Sequence, residues 1–205
     1  LASGALTPGA MRRAMMLTGT LALVGGLTTL GLAFVPGWVP GTESSSLQGA
    51  SMAALFALGI AGIVAAVRYT VGSSAYGYVG LGDLFVLAFF GFVGVCGVAL
   101  LLTHQTSFPW LLPALFSGCM GVAVLNLNNL RDHESDATAG KRTMVVRLGF
   151  QAGKRYHLAI LLVGWGALVL FFNGPWEVGE WRGTMWYALI ALLHARHAVD
   201  VWRCE

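Results

Sequence analysis

Uncharged apolar segments alternate with short polar segments along most of this 205-residue chain. A helix that spans a membrane needs about 20 predominantly apolar residues, with roughly 17 to 25 tolerated. Two of the apolar segments fall short of this length, and both adjoin residues that could complete them. The pattern predicts six membrane-spanning helices, at Ala14–Val35, Gly49–Val67, Leu84–Leu102, Phe108–Leu125, Leu158–Phe172 and Gly183–Leu193.

The two shorter segments depend on the polar residues beside them. The fifth reaches spanning length if its helix extends back through Tyr156 and His157. The sixth continues as a span only if His194, Arg196 and His197 lie at the membrane interface. The sequence therefore predicts an all-α fold, a polytopic transmembrane helix bundle, in which the whole chain forms a single membrane-embedded domain.

The composition supports insertion into a lipid bilayer. Hydrophobic residues make up 57% of the chain and the mean hydropathy is +0.73, which is more apolar surface than a soluble domain of this size can bury. The net charge of +3 is small, so it calls for no nucleic-acid partner. The three cysteines, Cys96, Cys119 and Cys204, have no metal-binding or redox spacing.

The basic residues fall on alternate connections between the predicted helices. They precede helix one, separate helices two and three and helices four and five, and follow helix six. Of the 12 Lys and Arg residues, only Arg182 lies elsewhere. Because cytoplasmic loops carry an excess of Lys and Arg, these connections are predicted to be cytoplasmic. A missed span would destroy the alternation, so it also supports the count of six helices.

One polar segment, 126–149, lies between the fourth and fifth predicted helices and contains most of the reactive side chains. Charged residues make up only 10% of the chain, so their concentration here is a local anomaly. Ionisable groups beside membrane spans are costly and usually mark a functional path. We interpret this segment as the functional site, with candidate residues Asn128, Asn129, Arg131, Asp132, Asp136, Lys141 and Arg142.

The acidic residues of this segment have a spacing that suits a metal ion. Asp132 and Asp136 are four positions apart, which on a helix places them on one face and about 6 Å apart along the axis. Asn128 and Asn129 precede Asp132 by four and three positions and extend that face. Such a stripe of oxygen ligands suits a hard cation that keeps several waters. The pattern predicts Mg²⁺ held by Asn128, Asp132 and Asp136 and bridged to phosphate oxygens.

The basic residues of the segment suit phosphate binding. Arg131, Lys141 and Arg142 supply donors, and the arginine side chains can bind bidentately. Gly140 is expected to end the helix in a left-handed cap that turns Lys141 back toward the site. The alternative is an ordinary solvated loop, which the paired aspartates, the asparagines and Gly140 together disfavour.

A second polar stretch, Arg68–Asp83, lies on the same predicted side of the membrane. Its small residues surround Tyr69, Tyr76 and Tyr78, which could bind an aromatic or phosphate group. Alternatively, these tyrosines anchor the chain at the interface, where Tyr is common. Asp83 begins the next predicted helix and is expected to be its N-cap, with or without a chemical role.

Both polar stretches resemble a known family. The segment NLNNLRDHESDATAGKRTMVVRLG resembles the second aspartate-rich motif of the UbiA-type intramembrane prenyltransferases. With RYH after it and YTVG…YGYVGLGD before it, the motif order is similar to that of the enzymes that prenylate 1,4-dihydroxy-2-naphthoate in bacterial menaquinone synthesis. The resemblance extends over essentially the whole chain, beginning with LASGALTP, which is similar to the family's loop before its third helix.

The resemblance implies a nine-helix bundle around a lipid-open cavity, with two aspartate-rich motifs facing each other on the cytoplasmic side. In this sequence, Asn128, Asp132 and Asp136 would hold Mg²⁺ on a polyprenyl diphosphate. Arg131 and Lys141 would neutralise the leaving diphosphate, so these residues are the implied centre of the reaction.

The resemblance also assigns a role to the loop between the second and third predicted helices. In the related enzymes this loop caps the site, so Arg68, Tyr69, Tyr76 and Asp83 are further substrate-binding candidates. The first aspartate-rich motif would lie before Leu1. The chain is therefore expected to be truncated at both ends and to represent helices three to eight.

The implied function is Mg²⁺-dependent transfer of a polyprenyl group to 1,4-dihydroxy-2-naphthoate, giving demethylmenaquinone, diphosphate and CO2 at the bacterial plasma (inner) membrane. Little or no activity is expected of the fragment alone. Benzoate or chlorophyllide acceptors are chemically compatible as well. One alternative is a non-catalytic prenyl-lipid-binding fragment. The other is a membrane transporter of a phosphorylated ligand, and a transporter would be expected to have paired, broken helices at the mid-membrane.

Overall fold

The computed structural model describes residues 7–35, 48–70, 75–174 and 184–203, and within these ranges all regular structure is helical. Two 3₁₀ turns, Tyr76–Val79 and Phe108–Trp110, and one π-helical segment, Leu87–Val93, connect or continue the α-helices. The α-helices are α1 (Pro8–Ala33), α2 (Gln48–Thr70), α3 (Gly82–Val86), α4 (Gly94–Thr103), α5 (Leu111–Arg131), α6 (His133–Thr138), α7 (Met144–Leu148), α8 (Phe150–Phe172) and α9 (Thr184–Arg203).

Five helical stretches in the described part of the chain are long and apolar enough to cross a membrane. They match the first five predicted spans, and the predicted all-α bundle is therefore confirmed. The helix of the fifth predicted span, α8, begins at Phe150, so it extends back beyond Tyr156 and His157. The five stretches are Pro8–Ala33, Met52–Tyr69, Gly82–Thr103, Phe108–Arg131 and Phe150–Phe172.

The sixth predicted span is confirmed as a helix but not as an apolar one. The helix α9 covers 20 residues, yet it is not among the five candidate spans. Its sequence includes His194, Arg196, His197 and Asp200, which lower its hydropathy. The polar residues that the sequence analysis expected at the membrane interface thus occupy the second half of this helix.

The chain divides into two compact units, 1–66 with 99–105, and 67–98 with 106–205. In the first unit, the buried His104 ring stacks on Phe34 with ring centroids 4.6 Å apart. The His104 Nε2 atom also lies 3.0 Å from the Ala33 carbonyl oxygen. These contacts fix the end of α1, and all candidate site residues belong to the second unit.

The core of the second unit lies between α5 and α8. Cys119, Val122 and Ala123 of α5 pack against Ile160 and Leu161 of α8, and all five side chains are buried. Small residues on α5 allow this close packing, as is usual for helix pairs in membranes. The α5 helix therefore runs through the centre of this unit and carries the polar segment at its C-terminal end.

The π-helical segment packs closely against the other side of α5. A Cβ atom on Gly91 would lie 2.6 Å from the Ala114 carbonyl oxygen, and one on Gly118 would lie 2.9 Å from the Leu87 carbonyl oxygen. The Ser117 hydroxyl donates to the Phe90 carbonyl oxygen at 3.0 Å. A hydroxyl donor satisfies a carbonyl at a point where irregular helical geometry disturbs the backbone ladder.

Replacing Gly91 by alanine is expected to lower the free energy of unfolding by about 1–3 kcal/mol, because the added methyl group would press on a backbone oxygen that cannot move aside. The matched control is Gly166→Ala in α8, where nothing lies within 4 Å of an added Cβ. Thermal unfolding in detergent, followed by circular dichroism, measures both variants. Equal midpoints for the two variants would show that this close approach does not limit packing.

Candidate functional site

The acidic residues of the polar segment lie where α5 passes into α6. The α5 helix ends at Arg131, and Asp132 forms the junction. The four-residue backbone pattern continues through the junction, because the Asp132 N–H donates to the Asn128 carbonyl at 2.9 Å and the Asp136 N–H donates to the Asp132 carbonyl at 2.8 Å. Asn128, Asp132 and Asp136 thus remain in helical succession.

Asp132 forms a bidentate ion pair with its neighbour. Nε and Nη2 of Arg131 donate to the two Asp132 carboxylate oxygens, each at 2.8 Å. This hydrogen bonding from the guanidinium lowers the pKa of Asp132 from its usual value. Both side chains are largely solvent-accessible, with 71% of Arg131 and 41% of Asp132 exposed, so the pair is open to a ligand.

Asp136 forms the second ion pair, in a less exposed position. The Lys141 Nζ atom donates to Asp136 Oδ1 at 2.7 Å, and only 9% of the Asp136 side chain is exposed. The hydrogen bond to this carboxylate raises the pKa of Lys141. The site therefore holds two carboxylates and two cations in adjacent pairs.

A left-handed glycine makes the second pair possible. Gly140 has a φ of 73°, and it follows the end of α6. The Lys141 N–H donates to the Asp136 carbonyl and the Gly140 N–H to the Ala137 carbonyl, which is the hydrogen-bond pattern of a Schellman cap. The predicted cap is confirmed, and it returns Lys141 to Asp136.

The second polar stretch lies directly against this segment. The Arg142 N–H donates to the Tyr78 carbonyl at 2.8 Å, and Arg147 Nη2 donates to the Val79 carbonyl at 2.5 Å. The Lys141 Nζ atom also lies 5.6 Å from the centre of the Tyr78 ring. The two stretches identified in the sequence therefore form one site.

Gly80 permits this contact. Its φ of 76° lies in the left-handed region, and an added Cβ atom would collide with the Arg142 carbonyl oxygen. Glycine alone among the residues has neither the backbone strain nor the side-chain bulk that would separate the two stretches here.

Aromatic rings form one wall beside the loop. The Tyr76 ring stacks on Phe85 with centroids 3.8 Å apart, and its edge contact with Tyr69 spans 5.4 Å. Phe85 in turn stacks on Phe89 at 6.2 Å. Burial, with a smaller contribution from Tyr69, raises the pKa of Tyr76, so its hydroxyl stays protonated at neutral pH.

The predicted N-cap role of Asp83 is wrong. The α3 helix begins at Gly82 with Leu81 as its cap, and Asp83 lies within the first turn. Its carboxylate instead accepts a hydrogen bond from the Tyr156 hydroxyl of α8 at 2.7 Å. The Asp83 side chain thus bonds to a residue of another helix and does not cap α3.

The other predicted residues lie around this centre. Asn128 is exposed on α5, whereas Asn129 is buried. Arg142 is exposed beside the loop, and Arg68 is exposed in the last turn of α2. Residues 71–74 of the second stretch lie outside the described residues. The direct contacts of the site therefore come from Tyr76–Val79, Asp132, Asp136 and the segment after Gly140.

Two contacts of the site were missed in the sequence. Arg147 was seen as a basic loop residue, but it ties the two polar stretches together. Tyr156 was seen as part of a helix extension, but it is the partner of Asp83. The available signal was a tyrosine in the polar first turns of a spanning helix, since a partly buried hydroxyl usually finds a hydrogen-bond partner.

The donor chemistry of the site fits Mg²⁺ in part. Carboxylate and amide oxygens are suitable ligands, and a paired carboxylate keeps free lone pairs. Within the described ranges, however, no group of three or more His, Cys, Asp or Glu side chains could hold a metal ion. Asp132, Asp136 and Asn128 would thus supply some of the ligands, and phosphate oxygens and water the others.

Comparison with known proteins gives a consistent result. The model of the UbiA prenyltransferase family matches residues 1–205. The chain is 47% identical over 145 residues to 1,4-dihydroxy-2-naphthoate octaprenyltransferase of Haemophilus influenzae, covering 71% of the chain and 46% of that relative. It is 40% identical over 168 residues to the Escherichia coli protein of the same name, covering 82% and 51%.

More distant relatives include 2-carboxy-1,4-naphthoquinone phytyltransferase of Synechocystis, 32% identical over 107 residues, with 49% of the chain and 34% of the relative covered. No solved structure matches. The chain spans about half the length of the two octaprenyltransferases above, 46% and 51%.

The two ion pairs should differ in their contribution to stability. Lys141→Met leaves the buried Asp136 carboxylate without its cation, which should cost about 1–3 kcal/mol, less than a fully buried pair because a third of Lys141 is exposed. Arg131→Met breaks the exposed pair, which should cost less than the loss of Lys141 because solvent screens exposed ion pairs. Thermal unfolding of both variants near neutral pH gives the comparison. A larger loss in Arg131→Met would contradict the assignment of Asp136 as the buried partner.

Proposed function

The chain belongs to the UbiA prenyltransferase family, and we propose that its protein transfers a polyprenyl group from a polyprenyl diphosphate to 1,4-dihydroxy-2-naphthoate. The names of the relatives with 40–47% identity support this acceptor and the class of donor. The immediate products would be demethylmenaquinol, diphosphate and CO2, because the acceptor is a hydroquinone and its quinone form, demethylmenaquinone, requires a separate two-electron oxidation. Because the chain spans about half of those relatives, the proposal concerns the whole protein rather than these residues alone.

Besides the relatives' names, one structural observation on this chain supports the proposal. Two carboxylates and two cations are paired at the end of a membrane span, and a loop lies directly over one of the cations. Ionising an allylic diphosphate produces an anion whose charge must be neutralised. A cluster that offers both metal-binding oxygens and positively charged donors suits that task.

Mg²⁺ is the metal that this donor set would bind. Asp132, Asp136 and Asn128 would hold it, and it would supply positive charge to the oxygens of the leaving diphosphate. Oxygen ligands from a few side chains, completed by phosphate and water, are the usual environment of this ion.

The basic residues provide the remaining donors. Arg131 and Lys141 would exchange part of their bonding with the aspartates for bonds to diphosphate oxygens, and the exposed Arg142 lies next to them. The raised pKa of Lys141 keeps its ammonium group charged at neutral pH. The lowered pKa of Asp132 keeps that carboxylate ionised, so both charges are present where the reaction takes place.

The cation formed on the prenyl chain needs an environment without nucleophiles. The rings of Tyr76, Phe85 and Phe89 form a continuous wall beside the charged cluster. Aromatic faces stabilise a nearby cation by cation–π interaction, and an apolar wall excludes water. The electron-rich ring of the acceptor would then form the new carbon–carbon bond.

The distribution of basic residues supports a location in the bacterial inner membrane with this site at the cytoplasmic face. Of the alternatives, a transporter of phosphorylated ligands would need polar, broken helices at mid-membrane depth. The described polar residues of this site instead lie at helix ends. The other alternative, a fragment that binds prenyl lipid without turnover, is tested by the diphosphate-release assay described below.

Asp132→Asn and Asp136→Asn, each made in the complete protein, should lower diphosphate release at least about 100-fold, because charge stabilisation of the leaving group is lost. The assay supplies polyprenyl diphosphate, dihydroxynaphthoate and Mg²⁺ and measures diphosphate. Glu134→Gln is the matched control, since this exposed residue of α6 lies off the face of the two aspartates. Its activity should equal that of the wild type.

Chelation of divalent cations should abolish diphosphate release, and added Mg²⁺ should restore it. Full activity in both aspartate variants would contradict the proposed site. Activity that is unaffected by chelation would contradict the proposed metal.

A further inference from the structure

We propose that Asp83 and Tyr156 form the subsite that binds a ring hydroxyl group of the aromatic acceptor and accepts its proton. This inference rests on the proposed function and adds a residue, Tyr156, to its site. The pair lies apart from the aspartates that would bind Mg²⁺ and diphosphate. It would therefore act on the other substrate.

The geometry of the pair suits proton transfer. The Tyr156 hydroxyl donates to Asp83 Oδ2 at 2.7 Å, although 73 positions separate the two residues in the chain. A hydroxyl that donates its proton still has two lone pairs with which it can accept a hydrogen bond. The Tyr156 side chain is only partly buried, and we infer that a ligand hydroxyl group donates to its oxygen.

Asp83 is a buried carboxylate that forms no ion pair with any of the described residues. Its exposed fraction is 9%, and the ion pairs among the described residues involve Asp132 and Asp136 but not Asp83. Burial of an unpaired carboxylate is costly. An ionisable group kept at such a position in a membrane helix is a functional-site candidate.

The pair adjoins the charged cluster through aromatic side chains. Lys141 lies over the Tyr78 ring. At Gly82, the residue before Asp83, an added Cβ atom would be 3.5 Å from the Tyr69 ring. The Tyr69 ring in turn contacts Tyr76. The helical turn that carries Asp83 thus contacts, through Gly82, one of the aromatic groups that border the diphosphate site.

The neighbouring rings match a planar substrate. Phe85, two positions after Asp83, stacks on Tyr76 at an interplanar angle of 16° and on Phe89 at 12°. Rings at these angles form a wall of nearly parallel faces. A fused aromatic ring could extend this stack.

The proposed step is balanced. The O–H bond of the acceptor breaks, its proton moves to the Tyr156 oxygen, and the Tyr156 proton moves to Asp83 Oδ2. The electron pair stays on the acceptor oxygen and increases the electron density of the ring. A ring carbon then bonds to the allylic carbon, while the carbon–oxygen bond to diphosphate breaks and its electron pair leaves with diphosphate. The bond between that ring carbon and its carboxylate breaks next, CO2 leaves, and the electron pair of this bond restores the aromatic ring while the proton returns from Asp83 through Tyr156 to the acceptor oxygen.

Tyr156→Phe and Asp83→Asn test this step in the complete protein. At neutral pH, each should lower kcat/KM for dihydroxynaphthoate about 100-fold, the lower end of the effect of a positioned base. The KM for polyprenyl diphosphate should stay unchanged. The defect should shrink toward pH 10, because a phenol with a pKa of about 10 ionises there without help.

The control is Ser117→Ala, which removes a comparable hydrogen bond between helices, from the Ser117 hydroxyl to the Phe90 carbonyl. It should keep the wild-type kcat/KM for the acceptor at every pH. Tyr156→Phe removes a single oxygen atom, so it provides the test even if Asp83→Asn does not fold.

A loss of equal size at every pH, or a raised KM for polyprenyl diphosphate, would assign the pair a structural role and overturn the inference. Unchanged kcat/KM in both variants would overturn it as well. If the wild-type protein transfers no prenyl group, the proposed function itself fails, and this result is distinct from a defect confined to the variants.

Discussion

Charged groups at the ends of apolar helices need partners inside the protein, because an isolated ion is costly in a medium of low dielectric constant. Around the end of α5, the buried Asp136 is paired with Lys141, and the left-handed Gly140 returns the chain so that this pair can form. The same reversal places the following residues under the loop, where Arg142 and Arg147 donate to its carbonyl groups. Pairing of one carboxylate thus determines how two distant polar stretches meet.

Close helix packing gives this arrangement a fixed base. The α5 helix packs against the π segment through Gly91 and Gly118, and against α8 through Cys119 and its neighbours. Because the loop precedes α3 and the charged segment follows α5, the distance between these helices sets the distance between the loop and the ion pairs. Because protein interiors are packed as densely as organic crystals, a change in the distance between these helices would also change the distance between the loop and the ion pairs.

The sequence was sufficient for features that depend on local chemistry. Five spans follow from length and apolarity, and the Gly140 cap follows from a glycine after a short helix. Features that depend on pairing between distant helices could not be predicted. Asp83 was expected at a helix cap, because nothing local indicates that Tyr156, 73 positions later, would bind its carboxylate.

The charges of the site also indicate how its ligand must bind. Asp132 and Asp136 carry two negative charges, and Arg131 and Lys141 balance them with two positive charges. Two neutral ion pairs attract a diphosphate only weakly, since their cations are already hydrogen-bonded to carboxylates. With the proposed divalent cation bound, the carboxylate oxygens would hold the metal, and the basic side chains would be available for the phosphates. The proposed metal would therefore add the positive charge that the paired side chains by themselves do not offer to a diphosphate.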